Sequence, residues 1–174
     1  GVIQAMLEFG KRAVDNGADM EARTHIQWAS IVALNGWIQA GMRKRFPVHT
    51  IEHAVSAFYD IPHGAGLSIL NPAWMKFSMK EIRKKLCLMG SRIFNIRESE
   101  TSSEENAFKA LAAFRNYLET IGAPLNLSRF GIGRDKFNEI AGDIVGTSGD
   151  RGGKIPGRPD LSKEDIISIL EESL

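Results

Sequence analysis

An all-α fold, a bundle of about eight helices, is predicted by three observations. Apolar residues recur at helical spacing through almost all of the 174 residues. No segment alternates apolar and polar residues as a half-buried strand would. The interruptions between apolar stripes fall on turn-forming or helix-capping residues.

The first helix is expected over 2–14 and stops at Asp15-Asn16-Gly17, a turn-forming cluster. Asp19 opens a second, whose stripe includes Ile26, Trp28, Ala29, Val32, Ala33 and Ile38, and Gly41 ends it. Ala29, Ala33 and Gly36 are small enough for a neighbour to approach closely. Pro47 suits the first turn of a third helix, where a missing N–H costs nothing; this helix runs to about Tyr59 and breaks at Asp60-Ile61-Pro62. A fourth starts near His63-Gly64, with Pro72 kinking or interrupting it. Further helices are expected at about 79–95, 102–121, 135–145 and 162–172. Ser102 with Glu105, and Ser162 with Asp165, carry the spacing of a capping box at two of these starts. The Gly/Pro-rich stretch between 146 and 161 reads as a flexible, solvated connection. It is not a phosphate loop, since no strand precedes it and the Gly-x4-Gly-Lys-Ser/Thr spacing is absent.

The composition is that of an ordinary soluble globular domain, 43% hydrophobic and 25% charged with a net charge of +1. Such a balance argues against nucleic-acid binding, and Arg43-Lys44-Arg45 and Arg83-Lys84-Lys85 read as solvated helix ends or faces. One cysteine, Cys87, excludes an intramolecular disulfide and suits a reducing cytoplasm, where it is expected as a buried thiol. No apolar run reaches the length of a membrane span, and no signal-peptide pattern is present. The chain opens in mid-helix, with Val2, Ile3, Met6, Leu7 and Phe9 beside Glu8, Lys11 and Arg12, as if cut from a larger protein.

Three of the four histidines lie within fifteen residues, His49-Thr50-Ile51-Glu52-His53 and then His63. Positions four apart share a helical face, so His49 and His53 project together. The break at Asp60-Ile61-Pro62 can return His63 toward them. Neutral imidazoles are the commonest metal ligands near pH 7, so a metal grip is one reading; surface or buried hydrogen-bonded histidines are the other, and spacing alone leaves both open. The order His-x-x-Glu-His excludes a His-Glu-x-x-His protease but matches the inverted zinc-peptidase pattern, which keeps a metallohydrolase as an alternative. His25 has no histidine near it and reads as structural.

The stretch from Ala22-Arg23 through Ala33-Leu34-Asn35-Gly36 carries a further pattern. It continues in His49-x3-His53-x2-Ser56-Ala57-Phe58-Tyr59-Asp60-Ile61-Pro62-His63-Gly64-Ala65-Gly66-Leu67 and Asn71-Pro72-Ala73-Trp74-Met75. Together these resemble the iron-containing alcohol dehydrogenase family, in its bacterial butanol-dehydrogenase branch. Gly122-Ala123-Pro124-Leu125 and the ending Asp165-Ile166-Ile167 extend the likeness to essentially the whole chain.

The resemblance implies the C-terminal helical domain, here 1–174, of a two-domain dehydroquinate synthase-like fold whose N-terminal nucleotide-binding domain is absent from the chain. It implies a divalent metal, iron or zinc, and NAD or NADP bound mainly by the missing domain. It also implies a small alcohol or aldehyde substrate and a homodimeric full-length protein. His49 and His63 match the family's pair of metal ligands fourteen residues apart. His53 matches its further active-site histidine, next to nicotinamide and substrate. Phe58 and Tyr59 are candidates for an apolar pocket wall, though Phe58 suits a plain core role better. Asp60 is a candidate either to orient a histidine or to cap the next helix. The family's other two ligands, an Asp-x3-His pair, occur nowhere in the sequence. The chain alone is therefore expected to be inactive and to bind metal weakly. Alternatives are a lyase-type member of the same superfamily and a non-catalytic helical module.

Overall fold

The structure, a computed structural model, describes residues 1–41, 47–97 and 103–174. Among these the regular elements are helical: α1 (Val2–Asp15), α2 (Met20–Leu34), α3 (Val48–Tyr59), α4 (His63–Phe77), α5 (Met79–Ile93), α6 (Glu104–Thr120), α7 (Phe137–Ser148) and α8 (Lys163–Glu172). Short 3-10 turns add Trp37–Gln39, Leu127–Phe130 and Arg134–Lys136. The all-α expectation holds. None of the helices is long and apolar enough to cross a membrane.

The chain divides into two compact units. The first contains α1 and α2, which pack against one another. Asp19 ends the turn between them, accepting the Ala22 N–H at 3.0 Å as an N-cap, while Arg12 reaches from α1 to Asp19 and Glu21. His25 stacks on Phe9, with ring centroids 4.0 Å apart, in keeping with a structural role. The second helix stops earlier than its apolar stripe suggests. Asn35 caps it, and Gly36 at φ 86° takes a left-handed conformation that turns the backbone out of the helix seven residues after Ala29. Trp37 and Ile38, which prolong the stripe in the sequence, lie in the 3-10 turn and stand exposed.

The second unit holds the main core. Helices α3, α4, α8 and α7 close a ring, each packing on two of the others. Ile51 and Val55 from α3, Ile69 and Leu70 from α4, Ile140 and Ile144 from α7, and Ile166, Ile169 and Leu170 from α8 are almost wholly buried inside it. Burying each such side chain contributes about 1.5–3 kcal/mol.

Pro72 does not interrupt α4, which runs unbroken past it. The proline removes a hydrogen bond, but Ile69, Leu70, Ala73 and Trp74 are buried on both sides of it, so packing holds the two halves in line. On α5, Arg83, Lys84 and Lys85 are exposed as expected, and Cys87 is free and buried. Arg43-Lys44-Arg45 and Ser102 lie outside the described residues. The described cap of α6 is Ser103, whose hydroxyl accepts the Asn106 N–H at 3.1 Å.

The stretch before α8 is far more ordered than its composition implies. Ile155 and Leu161 are buried and exchange backbone hydrogen bonds of 2.9 and 3.0 Å. Asp150 gathers the Gly152 and Lys154 N–H groups, and Asp160 accepts from Gly157. These bonds replace solvent, so the loop is pinned to the core by its two apolar residues. Ser162 then starts α8 through the predicted capping box with Asp165. Ser162→Ala is expected to cost about 1 kcal/mol, read as a lowered melting temperature, with Ser162→Thr close to wild type.

Candidate metal centre

The site is built by α3, α4 and the three-residue link between them. Pro47, at the N-cap position of α3, is followed by His49 in the first turn and His53 one turn later. Their rings sit 6.1 Å apart, centroid to centroid, on the exposed side of the helix. Behind them Val48, Ile51 and Val55 face the core, so the same helical period that buries one face presents the imidazoles on the other.

Asp60 ends α3 with φ 51°, a left-handed conformation that aspartate tolerates better than most residues. Its N–H bonds the Ser56 carbonyl at 2.8 Å. Pro62 then precedes His63 at the start of α4. The link folds back as its sequence suggests. The His63 ring lies 5.3 Å from that of His49 and 5.2 Å from that of His53. Three imidazoles from two helices thus converge on one spot.

Asp60 itself does neither of the things its position suggested. It is the backbone cap of α3, and α4 has no side-chain cap. The residue that does meet a histidine is Glu52, which reading along the chain considers only as part of a peptidase motif. Its side chain is wholly buried, and one of its oxygens makes a short hydrogen bond with His63 Nδ1. Its other oxygen accepts from the Ser56 hydroxyl, four residues on along α3. The only advance signal is the spacing Glu52-x3-Ser56 beside the histidines. An inverted-motif peptidase needs that glutamate open to water, and here it is sealed, so the hydrolase alternative loses its base.

Among the described residues, Glu52, His53 and His63 offer donor atoms that all lie within 4.8 Å of one another. The rings do not by themselves single out His49 and His63 over His53. Burial, and then the neighbouring His63 and His53, pull the His49 pKa below its ordinary value. That favours the neutral, lone-pair-bearing ring a metal requires. An all-imidazole face is a borderline donor set suited to iron or zinc, so the residues present fit the metal that the family resemblance implies. Phe58 and Tyr59 pack against the core, with Lys136 Nζ 6.0 and 5.6 Å from their ring centroids.

All of residues 1–174 match the family model described as Fe-containing alcohol dehydrogenase family, C-terminal. The chain is 34% identical over 173 residues to NADH-dependent butanol dehydrogenase A of Clostridium acetobutylicum, covering 99% of this chain and 43% of that protein. It is 32% identical over 132 residues to the NADPH-dependent aldehyde reductase YqhD of Escherichia coli, covering 76% of this chain and 34% of that one. Among solved structures, an NADH-dependent butanol dehydrogenase A from Thermotoga maritima superposes with a TM-score of 0.90 at 31% identity, over 99% of this chain and 44% of its own. The chain therefore spans less than half the length of these relatives.

Proposed function

The chain belongs to the iron-containing alcohol dehydrogenase family, matching its C-terminal part, and from that premise we propose that it is the metal- and substrate-side domain of an NAD(P)-dependent alcohol dehydrogenase. In this reading His49 and His63 hold a divalent iron or zinc, and His53 is the catalytic histidine beside substrate and nicotinamide. The remaining ligands and the dinucleotide site come from an N-terminal domain outside residues 1–174, and the full-length protein works in the cytoplasm as a homodimer. The convergence of three imidazoles from α3 and α4 is the observation that carries it.

The chemistry supplied by the bound ion would be polarisation of an alcohol or aldehyde oxygen. This chain's residues do the rest. His49 and His63 offer ring nitrogens to the ion, and the lowered pKa of His49, from burial and then the neighbouring imidazoles, favours its neutral form. In this reading His53, exposed on the same face, takes the proton that leaves the hydroxyl as hydride departs from carbon, and returns it in aldehyde reduction. The printed names of the relatives, butanol dehydrogenase and aldehyde reductase, support a small alcohol and aldehyde pair over a lyase reaction.

The test is an assay of the full-length protein, loaded with iron or zinc, against simple alcohols with NAD(P)+ and aldehydes with NAD(P)H. Turnover is expected from the full-length protein and none from residues 1–174 alone. Metal-loaded full-length protein that turns over neither class of substrate would sink the reading, and turnover by the isolated chain would sink the division of labour between domains.

A further inference from the structure

We propose that Glu52 is a positioning residue: a buried carboxylate that fixes His63 with its Nδ1–H turned inward, so that Nε2 is the nitrogen offered to metal. The inference rests on the metal reading above but concerns a residue which that reading does not use.

A wholly buried carboxylate is costly unless its oxygens are occupied. Those of Glu52 are. One accepts a hydrogen bond from the Ser56 hydroxyl, on the same helix, and the other meets His63 Nδ1, from α4. Ser56 has a single proton to give; the Ile61 carbonyl, 3.1 Å away, is the acceptor it would otherwise use. With Nδ1–H bound to a carboxylate the imidazole is held in one tautomer and one ring orientation, which leaves a lone pair on Nε2.

Gly66 is the second observation. It lies within α4 and has no left-handed backbone to explain it. A Cβ at that position would stand 2.6 Å from Glu52 Oε1, 2.7 Å from its Cγ and 3.0 Å from its Cδ. The glycine is therefore space for this carboxylate, and α3 and α4 each contribute two residues to the arrangement. The donor atoms of Glu52, His53 and His63 are close enough for Glu52 to be a ligand itself. Its complete burial, with both oxygens already engaged, favours the supporting role, and the experiment separates the two.

In the full-length protein, zinc affinity is measured by competition with a chelating dye, and the His63 tautomer is read by nitrogen-15 NMR of the metal-free protein at mildly alkaline pH. Wild type is expected to show His63 protonated on Nδ1, and Glu52→Ala a mixture of tautomers. Glu52→Ala and Gly66→Ala should each weaken zinc about 10- to 100-fold. Glu52→Gln, which keeps a carbonyl acceptor for Nδ1–H, should lose less. Adding Gly66→Ala to Glu52→Ala should cost nothing more, because the clashing carboxylate is gone. An Nε2-protonated His63 in wild type overturns the proposal without any variant having to fold. So does wild-type affinity in Gly66→Ala. Glu52→Gln falling as far as His63→Ala would make the carboxylate a ligand and overturn the supporting role. Wild type that binds no zinc overturns the metal reading and this inference with it, a result distinct from loss confined to the Glu52 and Gly66 variants.

Discussion

His63→Ala and His49→Ala are each expected to weaken iron or zinc binding to the full-length protein by more than about 100-fold, beyond what loss of a ligand's supporting partner costs. His53→Ala should leave the metal in place and lower kcat by about 100- to 10,000-fold, the usual range for removing a general acid–base. The contrast matters because the three rings are nearly equidistant, 5.2 to 6.1 Å apart. Geometry gathers them without ranking them; the family pattern supplies the ranking. Metal content after dialysis, measured alongside kcat, distinguishes the roles. Metal lost equally from His53→Ala and His49→Ala would move the ligand role onto His53, in line with its closeness to Glu52 and His63.

What can be read along the chain follows the range of the interaction involved. The shared face of His49 and His53 is legible because it depends only on the pitch of one helix. The return of His63 is legible because Asp60 and Pro62 break the chain locally. Glu52 is not, since a carboxylate's burial depends on α4 closing over α3, and Gly66, which makes room for it, stands fourteen residues away. The early stop of α2 is masked by Trp37 and Ile38, which continue its stripe, although Asn35-Gly36 carries the signal that ends it. The segment before α8 misleads for the opposite reason. Its glycines and prolines dominate the composition, while Ile155 and Leu161, buried in the core, pin it in place.

The largest effect on stability is expected at Ile51, which lies between His49 and His53 on α3 and is wholly buried. Ile51→Ala should cost about 2–5 kcal/mol, and Ile51→Val about 0.5–1.5 kcal/mol, because a truncated side chain leaves a cavity that a close-packed core fills only in part. Helix α3 packs on both α4 and α7, so the loss should spread to the four-helix ring rather than stay in one helix. Hydrogen exchange of peptides from α3, α4 and α7 in the full-length protein measures it as faster exchange, about 30- to 5,000-fold for the alanine variant. The imidazoles point away from this core. Once folded, Ile51→Ala should therefore hold zinc nearly as well as wild type, and saturating zinc should restore part of the lost protection, about 2.7 kcal/mol at one hundred times Kd. If Ile51→Ala loses zinc as fully as His63→Ala, the inward and outward faces of α3 are not independent, and the core sets the geometry of the centre as much as the ligands do.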